Sequence, residues 1–317
     1  MARSFASTED LGPKQIDFDQ LTENTWVYAE DGDPTSGVII TDEGVMVIDT
    51  RSTPVAAQDL VDRVRKITDA PFKYVILTHY HAVRVLGAAA YNAEQIICSQ
   101  PTYELIQERG QQDYDSEVGR FPRLFNGVES VPGLTWPTMV FDNSLTLMMG
   151  GLEIQIKHLG RGHTQGDTIV WVPSQKVLFS GDLVENGATP YTGDAHLRDW
   201  PGTLKKLRAL EPEYLIPGRG PAMMNAADSL KAIDSTEGFI RALYEGVAAE
   251  VSANKSLKET YNKVVPELEK SYGHWSIFDH CMPFDISRAY DEASGIERPR
   301  IWTAERDKEM WASLEDG

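Results

Sequence analysis

The sequence predicts an α/β protein with stacked layers of strands and helices, ending in a run of helices. Three observations point there. Short apolar runs bounded by Gly, Pro and Asp recur up to about residue 220, alternating with stretches of helical spacing. The residues able to do chemistry stand where those runs end, as they do in layered α/β proteins. After Pro221 the pattern turns helical, from about Asn225 to Leu314. The reading is therefore an α/β domain over 1–224 and a helical extension over 225–317.

The elements follow in order. About the first 20 residues are polar and read as irregular. The stretch NTWVYAEDGDPTSGVIITDEGVMVIDT reads as three short strands, the last running from Gly44 to Ile48 and ending on Asp49. PVAAQDLVDRVRKIT has apolar residues at helical spacing. FKYVILTHYH is a buried strand that runs into two histidines, VLGAAAYN a short helix, and QIICSQ a further strand. Residues Pro101 to Pro137 combine a helix from Thr102 to Gly110 with a Pro- and Gly-punctuated insertion. LTLMMGGLEIQIKHLG is a hairpin through Gly150-Gly151, and GDTIVWVPSQKVLFSGD a second, turning at Pro173-Ser174. WPGTLKKLRALEP is an amphipathic helix, and EYLIPGRGP a strand ending in a loop.

Composition narrows the partners. Of the 317 residues, 41% are hydrophobic and 25% charged, with a net charge of -18. That charge argues against nucleic acid and against an anionic membrane surface. It leaves a small molecule as the expected partner. An anionic one must be captured by local arginines. Two distant cysteines, Cys98 and Cys281, imply no disulfide framework, and a reducing cytoplasm is the expected compartment. The polar N-terminus gives no expectation of a secretory signal or membrane span.

Four segments carry the chemistry: DTR at Asp49, THYHAVR at His79, GRGHTQGD at His163 and FSGD at Asp182. PGRGP at Arg219 follows them. Each is weak alone. Their order and spacing together resemble the metallo-β-lactamase superfamily, in the style of glyoxalase II-like hydrolases, over roughly Thr25 to Pro221. The resemblance implies a four-layer αββα sandwich with metal bound at one edge. It implies that His79, His81 and His163 hold the first metal and that Asp182 is the carboxylate facing both metal positions, itself a candidate ligand. Asp49, with Thr78 beside it, would support the ligands from behind.

The chain departs from that pattern at three places. Val83 stands for the motif Asp, Arg84 for the motif His, and Arg219 for the His of the last loop. An arginine has no lone pair to give and repels a neighbouring cation. One metal per chain is therefore expected, with Arg84 and Arg219 as a fixed positive charge that pairs with Asp182 and grips a substrate anion. Three imidazoles leave zinc an open position, and the pKa of its water falls to about 7. Asp182 would orient that water. His196 and Tyr191, in the loop after Asp182, are candidate substrate contacts. The expected activity is hydrolysis of an ester, thioester, lactone or amide.

Two other classes compete. His79, His163 and Asp182 could bind iron as in persulfide dioxygenases of this superfamily, which the oxygen uptake of such an enzyme would reveal. A non-catalytic binder of an anionic metabolite is the other. The stretch YGHWSIFDHCMPFDISRAYDE, with His274, Trp275, Phe278, His280 and Cys281, reads as a lid or pocket wall. Docking of the extension, or a homodimer contact through aromatic anchors, is the plainer reading. Phe121 and Trp136 are similar candidates for covering the site.

Overall fold

The computed structural model describes residues 7, 10–30 and 32–315. Two sheets are laid face to face. The first holds seven strands in chain order: β1 (Ile16–Gln20), β2 (Thr25–Glu30), β3 (Ser36–Thr41), β4 (Gly44–Ile48), β5 (Phe72–Ile76), β6 (Gln95–Ser99) and β7 (Met139–Phe141). β1 to β4 are antiparallel, whereas β4 to β7 run parallel. The second holds β8 (Ser144–Met149), β9 (Leu152–Lys157), β10 (Ile169–Val172), β11 (Val177–Phe179) and β12 (Tyr214–Ile216). Here only β11 and β12 are parallel.

The side-chain alternation of the strands explains the layers. Ile39, Met46 and Ile76 of the first sheet meet Ile154, Val170 and Phe179 of the second in one buried cluster. The opposite face of the first sheet packs on α1 (Pro54–Arg65) and α3 (Gln100–Arg120) through residues such as Val47, Leu60, Val75 and Ile106. The opposite face of the second packs on α4 (Trp200–Arg208), α5 (Ala226–Ser252), α6 (Leu257–Tyr272) and α7 (Phe278–Ala293). Trp171, Leu178 and Leu215 there share a core with Trp200, Ile233, Val264 and Ile286. The last helix, α8 (Ala304–Glu315), joins a smaller cluster around Phe284 and Trp302. This is the αββα sandwich, with a helical C-terminal region.

The structure corrects three expectations. Residues 1–6, 8 and 9 of the stretch read as irregular lie outside the described residues, but Ile16–Gln20 pairs with β2. As an edge strand with two apolar residues, it had little pattern to show. β7 likewise falls inside the supposed insertion. The helix expected over Thr102–Gly110 runs on to Arg120. Its second half turns Asp113, Glu117 and Arg120 inward, all buried. Polar residues at helical spacing leave no apolar stripe to read.

Candidate metal centre

β4, β5, β11 and β12 deliver four of the five predicted segments at their carboxyl ends. His79 and His81 follow β5 and lead into the short helix α2 (Ala82–Val85). His163 stands in the loop between β9 and β10. Asp182 lies in a 3-10 turn directly after β11, and Arg219 in the loop after β12. The two loops can meet because Gly218 has no side chain. A Cβ there would lie 2.3 Å from Asp182 Oδ1.

The three imidazoles converge. One ring nitrogen of each lies within 4.8 Å of the other two, and His163 Nε2 is 3.0 Å from His81 Nδ1. All three rings are 1–2% exposed. Their outward nitrogens are fixed by the protein: His79 Nδ1 by Thr78 Oγ1 at 2.9 Å, His81 Nε2 by Asp194 at 3.2 Å, and His163 Nδ1 by the Tyr191 carbonyl at 2.8 Å. His79 Nε2 is buried without a hydrogen-bond partner. A buried orphan nitrogen facing two others, with every far side anchored, fits a bound cation.

The electrostatics agree. Burial, with the neighbouring histidines, drives His79 well below its usual range. Burial likewise takes His163 down to about 3. Burial also pushes His81 down, but Asp113 and Asp194 carry it up to about 9. His81 is thus the ring that must give up a proton when a metal enters.

Asp182 Oδ2 lies 3.7 Å from His79 Nε2 and 3.6 Å from His163 Nε2, while Oδ1 is paired with Arg84. Burial alone would raise this carboxyl; Arg84, His163 and Arg219 outweigh it and hold it below its usual range. Arg84 is 1% exposed. It also donates to the carbonyls of Thr35 at 2.8 Å and Gly218 at 2.7 Å, and stands 3.9 Å from Asp49. Asp49 accepts from Thr78 N and Thr78 Oγ1, and burial takes its carboxyl up to about 7.

A cavity of about 20 Å³ faces the triad, room for roughly one water. His81, Val83, His163, Asp182, Tyr191 and Arg219 line one side of it. The far wall is built by the end of α3, with Glu117, Arg120 and Phe121, and by the start of α7, with Ile277, His280 and Cys281. The aromatic stretch near the C-terminus therefore does supply a pocket wall. Larger clefts exist, such as one of about 190 Å³ beside Arg300 and Trp302, but its lining includes no histidine or cysteine.

Not every predicted residue reaches the cavity. Arg84 stays behind Asp182, outside the lining. His196 is buried outside the lining, its backbone N donating to the Gly162 carbonyl at 2.8 Å. Trp136 is half exposed against Tyr103. Sequence reading missed Asp194, which holds His81 and pairs with Arg109 at 3.1 Å. It also missed Asp113 and Glu117. These accept from Ala82 N and Val83 N at 2.7 and 2.9 Å, clamping the backbone that follows His81.

Comparison with known proteins decides the family. The model of the metallo-beta-lactamase superfamily matches residues 29–219. The chain belongs to the metallo-beta-lactamase superfamily. Its relatives include a metallo-beta-lactamase type 2 of Bacteroides fragilis, 26% identical over 65% of this chain and 79% of that one. A linear primary-alkylsulfatase of a Pseudomonas species is 20% identical over 73% of this chain and 51% of its own. Among solved structures, a metallo-beta-lactamase from Pontibacter korlensis superposes with a TM-score of 0.58 at 20% identity. It covers 72% of this chain and 99% of its own. This member of the superfamily brings His79, His81 and His163 together beside Asp182, with Arg84 paired to Asp182 and Arg219 at the cavity wall.

Proposed function

We propose that this superfamily member is a hydrolase that works with one zinc ion on an ester, thioester, lactone or amide. One observation carries the reading: three anchored imidazoles turn their inward nitrogens to a common point, beside a carboxylate whose other oxygen is taken by a buried arginine. The relatives' names, beta-lactamase and alkylsulfatase, are consistent with hydrolysis.

His79, His81 and His163 would hold the ion. A zinc ion so held would supply Lewis acidity toward a carbonyl and bring water's pKa near neutrality. The chain's own residues do the rest. Asp182 Oδ2 faces the reacting centre and accepts a proton there, while Arg84 keeps the carboxylate ionised and fixed. Arg84 also occupies the space beside Asp182 with positive charge, which disfavours a second cation. Arg219, at the cavity wall, is the group placed to hold a substrate oxygen. Val83 offers no proton-handling side chain, so Asp182 acts alone.

The test is metal analysis of protein prepared without added metal, followed by a panel of ester, thioester and lactone substrates. About one zinc per chain is expected, lost in His79→Ala together with activity. Two tightly held ions, or iron with oxygen consumption, would sink the proposal.

A further inference from the structure

The wall opposite the triad holds a cation that neither the metal nor the fold requires. Arg120, the last residue of α3, lines the cavity with its side chain 3% exposed. Its Nε has no hydrogen-bond partner among the described residues. The nearest carboxylate, Glu117, stands 4.0 Å away, and the other oxygen of that carboxylate is already engaged by Val83 N. What holds Arg120 instead is a shelf of rings. Its guanidinium carbon lies 4.7 Å from the Phe284 centroid, 5.6 Å from Tyr191 and 5.9 Å from Phe121. Ring faces attract a cation without consuming its N–H donors.

Arg219 completes the arrangement. It is 6% exposed, donates to the Gly32 carbonyl at 3.2 Å, and has no carboxylate oxygen within 4.0 Å among the described residues. The two arginines line the same cavity, together with His280 and Cys281. Of the two carboxylates in the lining, Asp182 is neutralised by Arg84 and Glu117 is shared with a backbone N–H. Tyr191, Glu117, Asp307 and Asp113 offset the charge of Arg120 in part, but its unpartnered Nε and an Arg219 with no carboxylate partner among the described residues still carry a cost of burial. A planar anion between them removes that cost and suits their fork geometry.

We infer that Arg120 and Arg219 form a carboxylate subsite, making Arg120 a specificity-determining residue for an acyl substrate that ends in a carboxylate. This rests on the hydrolase reading above. The cavity is smaller than such a substrate, so Ile277 and His280 must give way on entry.

The test compares two p-nitrophenyl esters on zinc-loaded protein: the mono-ester of adipic acid and the hexanoate, alike in length and differing in the terminal carboxylate. Adipate itself, titrated calorimetrically, reports binding without turnover. Wild-type protein should prefer the adipate ester by on the order of tenfold or more in kcat/KM, the scale of one charge-assisted hydrogen bond. Arg120→Gln should lower kcat/KM for the adipate ester through KM far more than for the hexanoate, and Arg120→Lys should restore part of the preference. A wild-type protein that shows no preference and does not bind adipate overturns the inference, whether or not Arg120→Gln folds. Equal losses on both esters, unrelieved by lysine, overturn it too, because they mark a merely structural arginine. If neither ester is cleaved but adipate binds and Arg120→Gln abolishes that binding, the hydrolase reading fails and the subsite stands.

Discussion

At the scale of single residues, the centre depends on groups that never touch the metal. Asp194 accepts from His81 and balances Arg109, so it fixes the ring's orientation. Asp194→Ala should weaken metal affinity about 10–100-fold, the usual cost of losing such a partner; competition with a chromogenic chelator measures it. His196 makes a different prediction. Burial, helped by Arg161 and Arg288, lowers its pKa from 6.5 to about 4. The folded ring stays neutral in that window while the unfolded chain takes up a proton. Its contribution is therefore complete above about pH 6.5 and lost as pH falls toward 4, by roughly 3 kcal/mol. Urea unfolding from pH 6.5 to 4.5 should show this acid limb, and His196→Gln should flatten it. An unchanged slope would place the loss elsewhere.

At the scale of elements, the start of α7 stands between the cavity and an outer pocket. Ile277, its N-cap, sits at φ 56, a left-handed backbone that costs a β-branched residue about 1–2 kcal/mol. The same residue and His280 line both the metal-facing cavity and an outer pocket of about 230 Å³ beside Trp275 and Asp279. They form the partition between the two. His280→Ala should thin that partition and speed zinc removal by a chelator several-fold, with little change in equilibrium affinity. A stopped-flow release experiment separates the two quantities, and an unaltered release rate would show that access lies by another route.

At the scale of the whole molecule, the C-terminal helices complete the fourth layer. α5, α6 and α7 cover Trp171, Leu178 and Leu215 of the second sheet, and α7 also closes the cavity. A fragment ending at residue 224 exposes that apolar face and should aggregate or lose cooperative unfolding, as uncovered sheet faces do. Soluble expression and a thermal melt decide the matter. Among the described residues no helix is long and apolar enough to cross a membrane.

The strand ends and the residues they deliver were legible in the amino-acid order. Asp49, the pair His79 and His81, His163 and Asp182 each follow a short apolar run, and their order along the chain is itself informative. That Val83, Arg84 and Arg219 cannot ligate a metal was equally plain, because residue type alone decides whether a side chain has a lone pair to offer. Only the tertiary structure showed what each of these groups touches. Asp113 and Glu117 cap the backbone beside His81 from 31 and 34 residues away, and Asp194 reaches it across 113. Partnership at such separations is set by how the layers pack. An inward-facing polar residue on α3 looks, in sequence, like one on a solvated face.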